Sequence, residues 1–136
     1  MKSYKELEVW QKPKTLAVSV YKTTETMPRT EQFGLTAQML RAATSVAANI
    51  AEGWGRGSTL EYIHFLLISR ASLMELETHL IIAEELHYVR REQLETHQKM
   101  IESIGQMLNR LIQSLRKSTG RSPNSEIRNP KPEKRD

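Results

Sequence analysis

The sequence predicts an all-α protein, an antiparallel up-down four-helix bundle followed by a disordered C-terminal tail. Apolar residues recur at three- and four-residue spacing through four long segments, and no segment alternates as a strand would. Most prolines and glycines fall outside these segments. Because the connectors are short, neighbouring helices should run antiparallel. We expect residues 1–118 to form the bundle and residues 119–136 to form the tail.

The first predicted helix covers residues 9–26, where apolar residues recur at helical spacing. Pro13 lacks a backbone N–H and therefore belongs in a first helical turn, which predicts that the regular helix begins only at Lys12. Pro28 ends the segment, and the connector that follows should hold no more than one short turn.

The second predicted helix, Leu35–Trp54, has Thr36 as its expected N-cap. It is mostly apolar and rich in alanine, so we expect it to be enclosed on most sides. One polar thread runs along it and should form either an internal polar network or a lined cleft. Its members are spaced three or four residues apart: Gln38, Arg41, Ser45, Asn49, Glu52 and Arg56.

The third predicted helix opens at a capping box of Ser58 and Glu61, after a glycine-rich turn, and extends to about Tyr88. Its apolar residues cover more than one stripe, which predicts contacts with several helices or with another subunit. The fourth begins after a connector around Arg90. Its predicted seam has heptad spacing: Leu94, His97, Ile101, Ile104, Leu108, Leu111 and Leu115.

An antiparallel pairing of the second and third helices around the Gly57 turn predicts which residues lie level. Paired numbers should sum to about 114 to 116, which sets Arg41 level with Glu75 and brings Ser45 to within one residue of Ser72. We expect an Arg41–Glu75 ion pair, inside the bundle or at a subunit interface. The predicted structural polar network comprises Arg41, Ser45, Asn49, Glu52 and Glu75.

Composition restricts the chemistry. The chain has 136 residues, a net charge of +4 and no cysteine, so disulfides and thiolate metal sites are excluded. No apolar run is long enough to cross a bilayer. We therefore expect a cytoplasmic protein that does not enter a membrane. The tail is weakly basic and too polar to fold alone, and it is either an anion-binding arm or a solubilising end.

Catalytic and metal-binding patterns are weak. Glu61 with His64, and Glu84 with His87, match the Glu-x-x-His spacing of di-iron bundles. Both pairs lie on one predicted helix, about 35 Å apart, and cannot share a metal. Asp occurs only at the C-terminus, so there is no Ser-His-Asp constellation. We expect no catalytic residue, no metal, no cofactor and no small-molecule substrate.

Basic side chains offer one route to function. Phosphates could be bound by the candidate residues Arg56, Arg90, Arg91, Arg70 and Arg110, and bases could stack on Trp54, Tyr62 or Tyr88. Because the bundle holds nearly as many acidic residues, scattered surface charge without a partner is the alternative.

Several motifs resemble the bacterial four-helix-bundle proteins of the 23S rRNA intervening-sequence (S23) family. The resemblance runs from about Tyr4 to Ser118, and the Asn-Ile-Ala-Glu-Gly stretch is its most distinctive part. Ala71 and His87 stand where the family often has glycine, which should tighten local packing. The motifs are Leu7–Trp10, Glu31–Gln38 with Arg41, Ser45, Asn49–Gly53 with Arg56, and Ser72–Glu77.

This resemblance implies a ring-like homopentamer, similar to the nucleic-acid-binding accessory variability proteins of diversity-generating retroelements. The family name reflects genes found within rRNA insertions, which is a genomic association. The leading hypothesis is therefore a non-enzymatic oligomer that binds RNA or DNA. The alternative is a structural or protein-protein interaction module without nucleic-acid binding.

Overall fold

The computed structural model describes residues 3–120, which contain four α-helices and no strand. The predicted all-α class and the four helices are confirmed, whereas most of the predicted tail lies outside the described residues. A single-turn 3-10 helix precedes each of the first two α-helices, at Tyr4–Glu6 and Arg29–Glu31. The α-helices are α1 (Glu8–Thr24), α2 (Leu35–Trp54), α3 (Thr59–Glu85) and α4 (Arg91–Ser118).

Each helix packs against two neighbours. α1 and α3 both contact α2 and α4. α1 therefore lies diagonally opposite α3, and α2 lies diagonally opposite α4. The most extensive contact is between α2 and α3. Contacts between α1 and α4 follow the order expected of antiparallel neighbours. Lys12 of α1 contacts Ser103 of α4. Ser19, seven residues later in α1, contacts His97, which lies six residues before Ser103 in α4.

The chain segments between the helices define two ends of the bundle. The α1–α2 and α3–α4 connectors meet at one end, where the Tyr88 hydroxyl donates to Glu31 Oε2 over 3.4 Å. The two ends are separated by the 27 residues of α3, about 40 Å. The glycine end comprises the N-terminal segment, the α2–α3 turn and the last turn of α4. The connector end comprises the α1–α2 and α3–α4 connectors.

The core is built from aliphatic side chains of all four helices, and the buried face of α4 is close to the predicted seam. Leu111 and Leu115 are only half-buried, and Ile112 is buried instead. An α-helix drifts by about 20° per heptad, which moves the buried stripe by one residue toward the end of a long helix. The predicted seam positions that are buried are Leu94, His97, Ile101, Ile104 and Leu108.

His97 is a core residue rather than a ligand. It is 2% exposed, and its Nδ1 lies 2.6 Å from the Gln93 carbonyl oxygen. Its Nε2 lies 3.1 Å from the Ser19 hydroxyl and 3.4 Å from the Thr23 hydroxyl. An Nδ1–H tautomer would donate to the carbonyl and accept from a hydroxyl, so both ring nitrogens have partners and the burial is compatible with a stable core.

Helix α1 agrees with the predicted range of residues 9–26 to within two residues at each end. It starts at Glu8 and runs through Pro13, so the expected start at Lys12 is wrong. A proline in a helix removes one backbone hydrogen bond. The turn before Pro13 is held by other bonds, since the amides of Trp10 and Gln11 both donate to the Leu7 carbonyl. Pro13 is itself buried against the bundle, which offsets the lost bond.

Helix α2 is not capped as predicted. Its N-cap is Gly34 rather than Thr36, and the Leu35 amide donates to Glu31 Oε1 over 3.1 Å. A carboxylate from the preceding turn thus replaces a cap from within the helix. At α3 the predicted N-cap is correct, because Ser58 Oγ accepts from the amide of the third helical residue over 3.4 Å.

Helix α3 ends at Glu85, three residues before the predicted end. His87 follows with a left-handed φ of 62°. The His87 amide donates to the Glu84 carbonyl, and the Tyr88 amide donates to the Ala83 carbonyl. This is a Schellman termination with histidine where glycine is usual. His87 therefore adds backbone strain rather than tighter packing, and Ala71 is exposed, so the expected tightening at both positions is wrong.

The α2–α3 contact is unusually close at the glycine end. A Cβ atom placed on Gly53 would lie 2.7 Å from Phe65 Cβ and 3.1 Å from Tyr62 Cδ1. Further along, the buried Ser69 hydroxyl donates to the Val46 carbonyl over 2.8 Å. Glycine and serine permit this approach because neither holds the two backbones apart.

Gly53→Ala should destabilise the bundle by about 1–3 kcal/mol, because the added methyl group overlaps backbone-proximal atoms of α3. Gly55→Ala is the matched control. Its Cβ would meet no atom closer than 3.6 Å at a φ of −77°, so stability should hold or rise by up to about 1 kcal/mol. Urea unfolding followed by circular dichroism measures both, and equal effects would contradict the close approach.

His87→Gly should raise the free energy of unfolding by about 1 kcal/mol, because glycine adopts positive φ without the Cβ clash. His64→Gly, at an exposed helical position of α3, should lower it by about 0.5 kcal/mol. Thermal and urea unfolding of both variants give the comparison, and a loss of stability at position 87 would show that His87 is unstrained.

Candidate nucleic-acid interface

The polar thread of α2 divides into two parts. Ser45 and Asn49 are half-buried and form a small network with α3. The hydroxyls of Ser45 and Ser72 lie 2.8 Å apart, so the expected pairing is present, one residue from the predicted register. Asn49 Nδ2 donates to both the carbonyl and the hydroxyl of Ser45, each over 2.8 Å. The Ser45–Ser72 bond joins α2 to α3 at mid-height of the bundle, and the Asn49 bonds hold Ser45 from within α2.

The remainder of the thread faces solvent. Arg41 is exposed and has no ion pair among residues 3–120, while Glu75 pairs with His79 at 3.2 Å. The Arg41–Glu75 pair is therefore wrong within one chain, and its subunit-interface form stays a prediction. Enclosure of α2 on most sides is also wrong for one chain. Among residues 3–120, α1 and α3 are the two α-helices that contact α2, and alanines that they leave uncovered are small enough to face water at little cost.

The five candidate arginines do not form one patch within a chain. Arg56 lies in the α2–α3 turn at the glycine end, and Arg90 and Arg91 lie some 40 Å away at the connector end. Arg70 and Arg110 lie between them, toward the glycine end of α3 and α4. Phosphate contacts by all five to one short nucleic acid are therefore excluded within one chain.

The neighbours of these arginines also differ. Arg91 lies 3.6 Å from Glu84 and 3.4 Å from Glu95, which offset its charge. Arg70 Nη1 instead donates over 3.0 Å to the amide oxygen of Asn109, a neutral group. The exposed Arg110 follows Asn109 directly in α4. Among residues 3–120, neither Arg70 nor Arg110 has a carboxylate within ion-pair distance.

Charge is separated along the bundle. The half next to the glycine end, made of residues 3–12, 45–72 and 104–120, holds seven Lys or Arg and four Glu. The other half, residues 13–44 and 73–103, holds seven Lys or Arg and nine Glu. The glycine half therefore has a net charge of +3 and the connector half one of −2. An anionic partner would be attracted to the glycine end.

The glycine end also carries an aromatic-arginine cluster, defined by Trp54, Arg56, Tyr62, His64 and Phe65. Trp54 and Tyr62 meet edge to face, with ring centroids 6.2 Å apart. The Arg56 guanidinium lies 4.9 Å from the centre of the Phe65 ring, and the His64 ring meets Phe65 at 5.5 Å. Burial raises the pKa of the Tyr62 phenol, which keeps it neutral. The cluster combines one cation with several rings.

A second aromatic pair lies toward the same end. Tyr4 and Trp10 meet edge to face at 5.2 Å, and Lys14 Nζ lies 5.9 Å from the Trp10 ring. Five of the eight Trp, Tyr and Phe residues therefore lie in the glycine half. Sequence reasoning singled out Trp54 and Tyr62 as stacking residues and missed Phe65, and it noted His64 only as part of a Glu-x-x-His motif. Phe65 could have been found from its i, i+3 spacing with Tyr62, which directs both rings toward Gly53 of α2.

Metal-binding and membrane features can be stated for the described residues alone. No three His, Asp or Glu side chains come together as a metal site between residues 3 and 120. The two Glu-x-x-His motifs lie at opposite ends of α3. Within the same range, no helix has the length and apolar composition of a bilayer span.

These features define a small all-α protein, a four-helix bundle with a basic, aromatic end. Residues 5–110 match the family described as 23S rRNA-intervening sequence protein, so the chain belongs to that family. It is similar to a crystal structure from Bacteroides thetaiotaomicron, a protein of unknown function from the S23 ribosomal protein family. That chain is 27% identical, with a TM-score of 0.72 over 77% of this chain and 95% of its own. No curated protein matches the chain.

Two double-mutant cycles test the polar thread in the purified protein. Ser45→Ala with Ser72→Ala should show a coupling free energy of about 1 kcal/mol, because the two hydroxyls satisfy each other. Arg41→Ala with Glu75→Ala should show coupling below about 0.5 kcal/mol. Urea unfolding measures both cycles. A strong Arg41–Glu75 coupling would place that pair at a subunit interface.

Proposed function

We propose that this protein is a non-enzymatic homo-oligomer that binds RNA or DNA at the glycine end of each bundle. Arg56, Arg70 and Arg110 are the proposed phosphate contacts. The observation that carries the proposal is the separation of charge along the bundle, +3 against −2. Arg90 and Arg91 lie in the acidic half, and they are the weaker candidates for that reason.

Arg56 is suited to phosphate binding despite its ion pair. Its Nε lies 3.1 Å from Glu52 Oε2, and both side chains are about half exposed. An exposed pair of this kind contributes about 0–1 kcal/mol, so a phosphate can displace the carboxylate. The contact with Phe65 holds the guanidinium at a fixed place. Removal of Glu52 should therefore favour phosphate binding.

Self-assembly is supported by the outward face of α3. Met74 is 50% exposed, Ile82 43% and Leu86 49%. Ile82 follows Met74 by eight residues on α3, and Leu86, the C-cap, follows Ile82 by four. A row of large apolar side chains on a polar protein is typical of an interface. We propose a closed ring of identical subunits, and the family resemblance sets five as the expected number. A ring would present several basic ends to one nucleic acid.

The proposed location is the cytoplasm, since a chain without cysteine fits a reducing compartment that holds nucleic acid. We assign no reaction to the protein. Its one buried histidine is held between α1 and α4 by the core bonds described above, and this role is structural.

The double variant Met74→Lys/Ile82→Lys should convert the oligomer to monomers, because buried ammonium groups are strongly disfavoured at an apolar interface. Helicity should persist, since both side chains are exposed in one chain. Gln106→Lys, on the exposed face of α4, is the control and should leave the oligomer intact. Size exclusion with light scattering decides the matter, and a wild-type monomer at micromolar concentration would contradict the assembly.

Binding of labelled RNA and DNA should weaken steeply with salt, with a log-log slope of several units. Arg56→Glu should lower affinity at least tenfold. Glu52→Gln should raise it, because it frees the Arg56 guanidinium for phosphate. Arg91→Glu is the control at the connector end and should change little. Fluorescence anisotropy measures each, with circular dichroism to confirm folding.

Two results would overturn the proposal. No binding in low salt would favour the protein-interaction module. Equal losses from Arg56→Glu and Arg91→Glu would show that binding is not located at the glycine end.

A further inference from the structure

We propose that the aromatic-arginine cluster receives unpaired bases, so that the partner is single-stranded nucleic acid. This inference rests on the proposed function and specifies its ligand. The cluster lies at the basic end of the bundle, beside the guanidinium already assigned to phosphate.

Trp54 is the proposed stacking surface. Its side chain is 37% exposed although it ends a helix in a tightly packed turn. Its ring meets Tyr62 at an interplanar angle of 84°, so this contact does not stack the two rings face to face. Tryptophan is amphipathic and loses little conformational entropy on binding, because it has two rotatable side-chain bonds. A base can stack on an aromatic face whatever its identity.

Trp54 and Arg56 are arranged for one nucleotide. They are separated by a single residue, so their Cα atoms lie at most about 7 Å apart. A base on the indole would therefore bring its own or the next phosphate within reach of the guanidinium. Arg56 is itself held over the Phe65 ring at 4.9 Å. Stacking and charge neutralisation then act on the same segment of strand.

Close packing of α2 against α3 holds the base of the cluster, which favours binding. Gly53 holds the end of α2 against Phe65 and Tyr62, and Gly57 makes the turn with a φ of +76°. Little conformational entropy remains to be lost when a base stacks on a ring held this way.

A nucleic-acid duplex has no unpaired base to stack on the rings of this cluster. The bases of a duplex are stacked on each other, so a duplex would offer only phosphates unless a step were unstacked at a cost of a few kcal/mol. The expected preference is for single strands of RNA or DNA, with little dependence on base sequence.

The experiment compares three labelled ligands of one sequence: a 12-nucleotide RNA, the same DNA strand and its DNA duplex. Full-length protein is titrated by fluorescence anisotropy. Trp54→Ala should weaken single-strand binding about 5- to 150-fold, the effect of losing one stacked base. Duplex binding should change less than twofold. Trp54→Phe should retain most of the single-strand affinity. Comparison of the single-stranded RNA with the single-stranded DNA shows whether affinity depends on the sugar.

Phe33→Ala is the matched control. Phe33 is 91% exposed at the connector end, so its loss tests an exposed ring outside the proposed site. It should leave all affinities unchanged. A second readout keeps the test independent of Trp54 substitutions. Trp10→Phe leaves Trp54 as the sole tryptophan, and its fluorescence should be quenched by single strands and not by duplex.

Each outcome separates the two proposals. Salt-dependent binding that requires Arg56 but treats duplex and single strand alike, or ignores Trp54→Ala, overturns the stacking site and leaves the proposed function standing. Absence of binding to all three ligands in low salt overturns the proposed function itself. Loss of affinity on Phe33→Ala would move the aromatic contact to the opposite end of the bundle.

Discussion

The close approach of α2 and α3 at Gly53 is the constraint on which the rest of this structure depends. With Gly53 pressed against Phe65 and Tyr62, the last turn of α2 ends directly above the aromatic face of α3. Trp54, the last residue of α2, then packs against Tyr62, and the following turn places Arg56 over the Phe65 ring. A larger side chain at this position would separate the helices and disperse the cluster. Packing and the proposed binding site are therefore products of the same contact.

Two surfaces of the bundle remain without partners in a single chain, and they differ in chemistry. The outward face of α3 and its C-cap carry the exposed apolar side chains Met74, Ile82 and Leu86, whereas the glycine end is basic and aromatic. The first suits a second copy of the same protein and the second suits a polyanion. If both are used, assembly would multiply a modest phosphate affinity through multivalency, without requiring a deep pocket in any one subunit.

The polar thread of α2 shows how far sequence reasoning reached. Helical spacing correctly placed Ser45 opposite Ser72, because register follows from the length of the turn. The same reasoning placed Arg41 opposite Glu75 and expected an ion pair, yet Glu75 pairs with His79 one turn along its own helix. Register determines which residues lie level. It does not determine how far each helix is rotated, and rotation decides which side chains face the partner.

The sequence by itself determined the helices, the connectors and most of the core, because these follow from local hydrophobic periodicity and from glycine and proline. It also supplied Arg56, Trp54 and Tyr62 as candidates. Only the tertiary structure placed Arg56 over the Phe65 ring and Arg70 beside Asn109, and divided the charge between two ends. The physical reason is that a helix is specified by neighbours three and four residues away. A surface is assembled from residues that are distant in the chain, and their placement depends on how the helices pack.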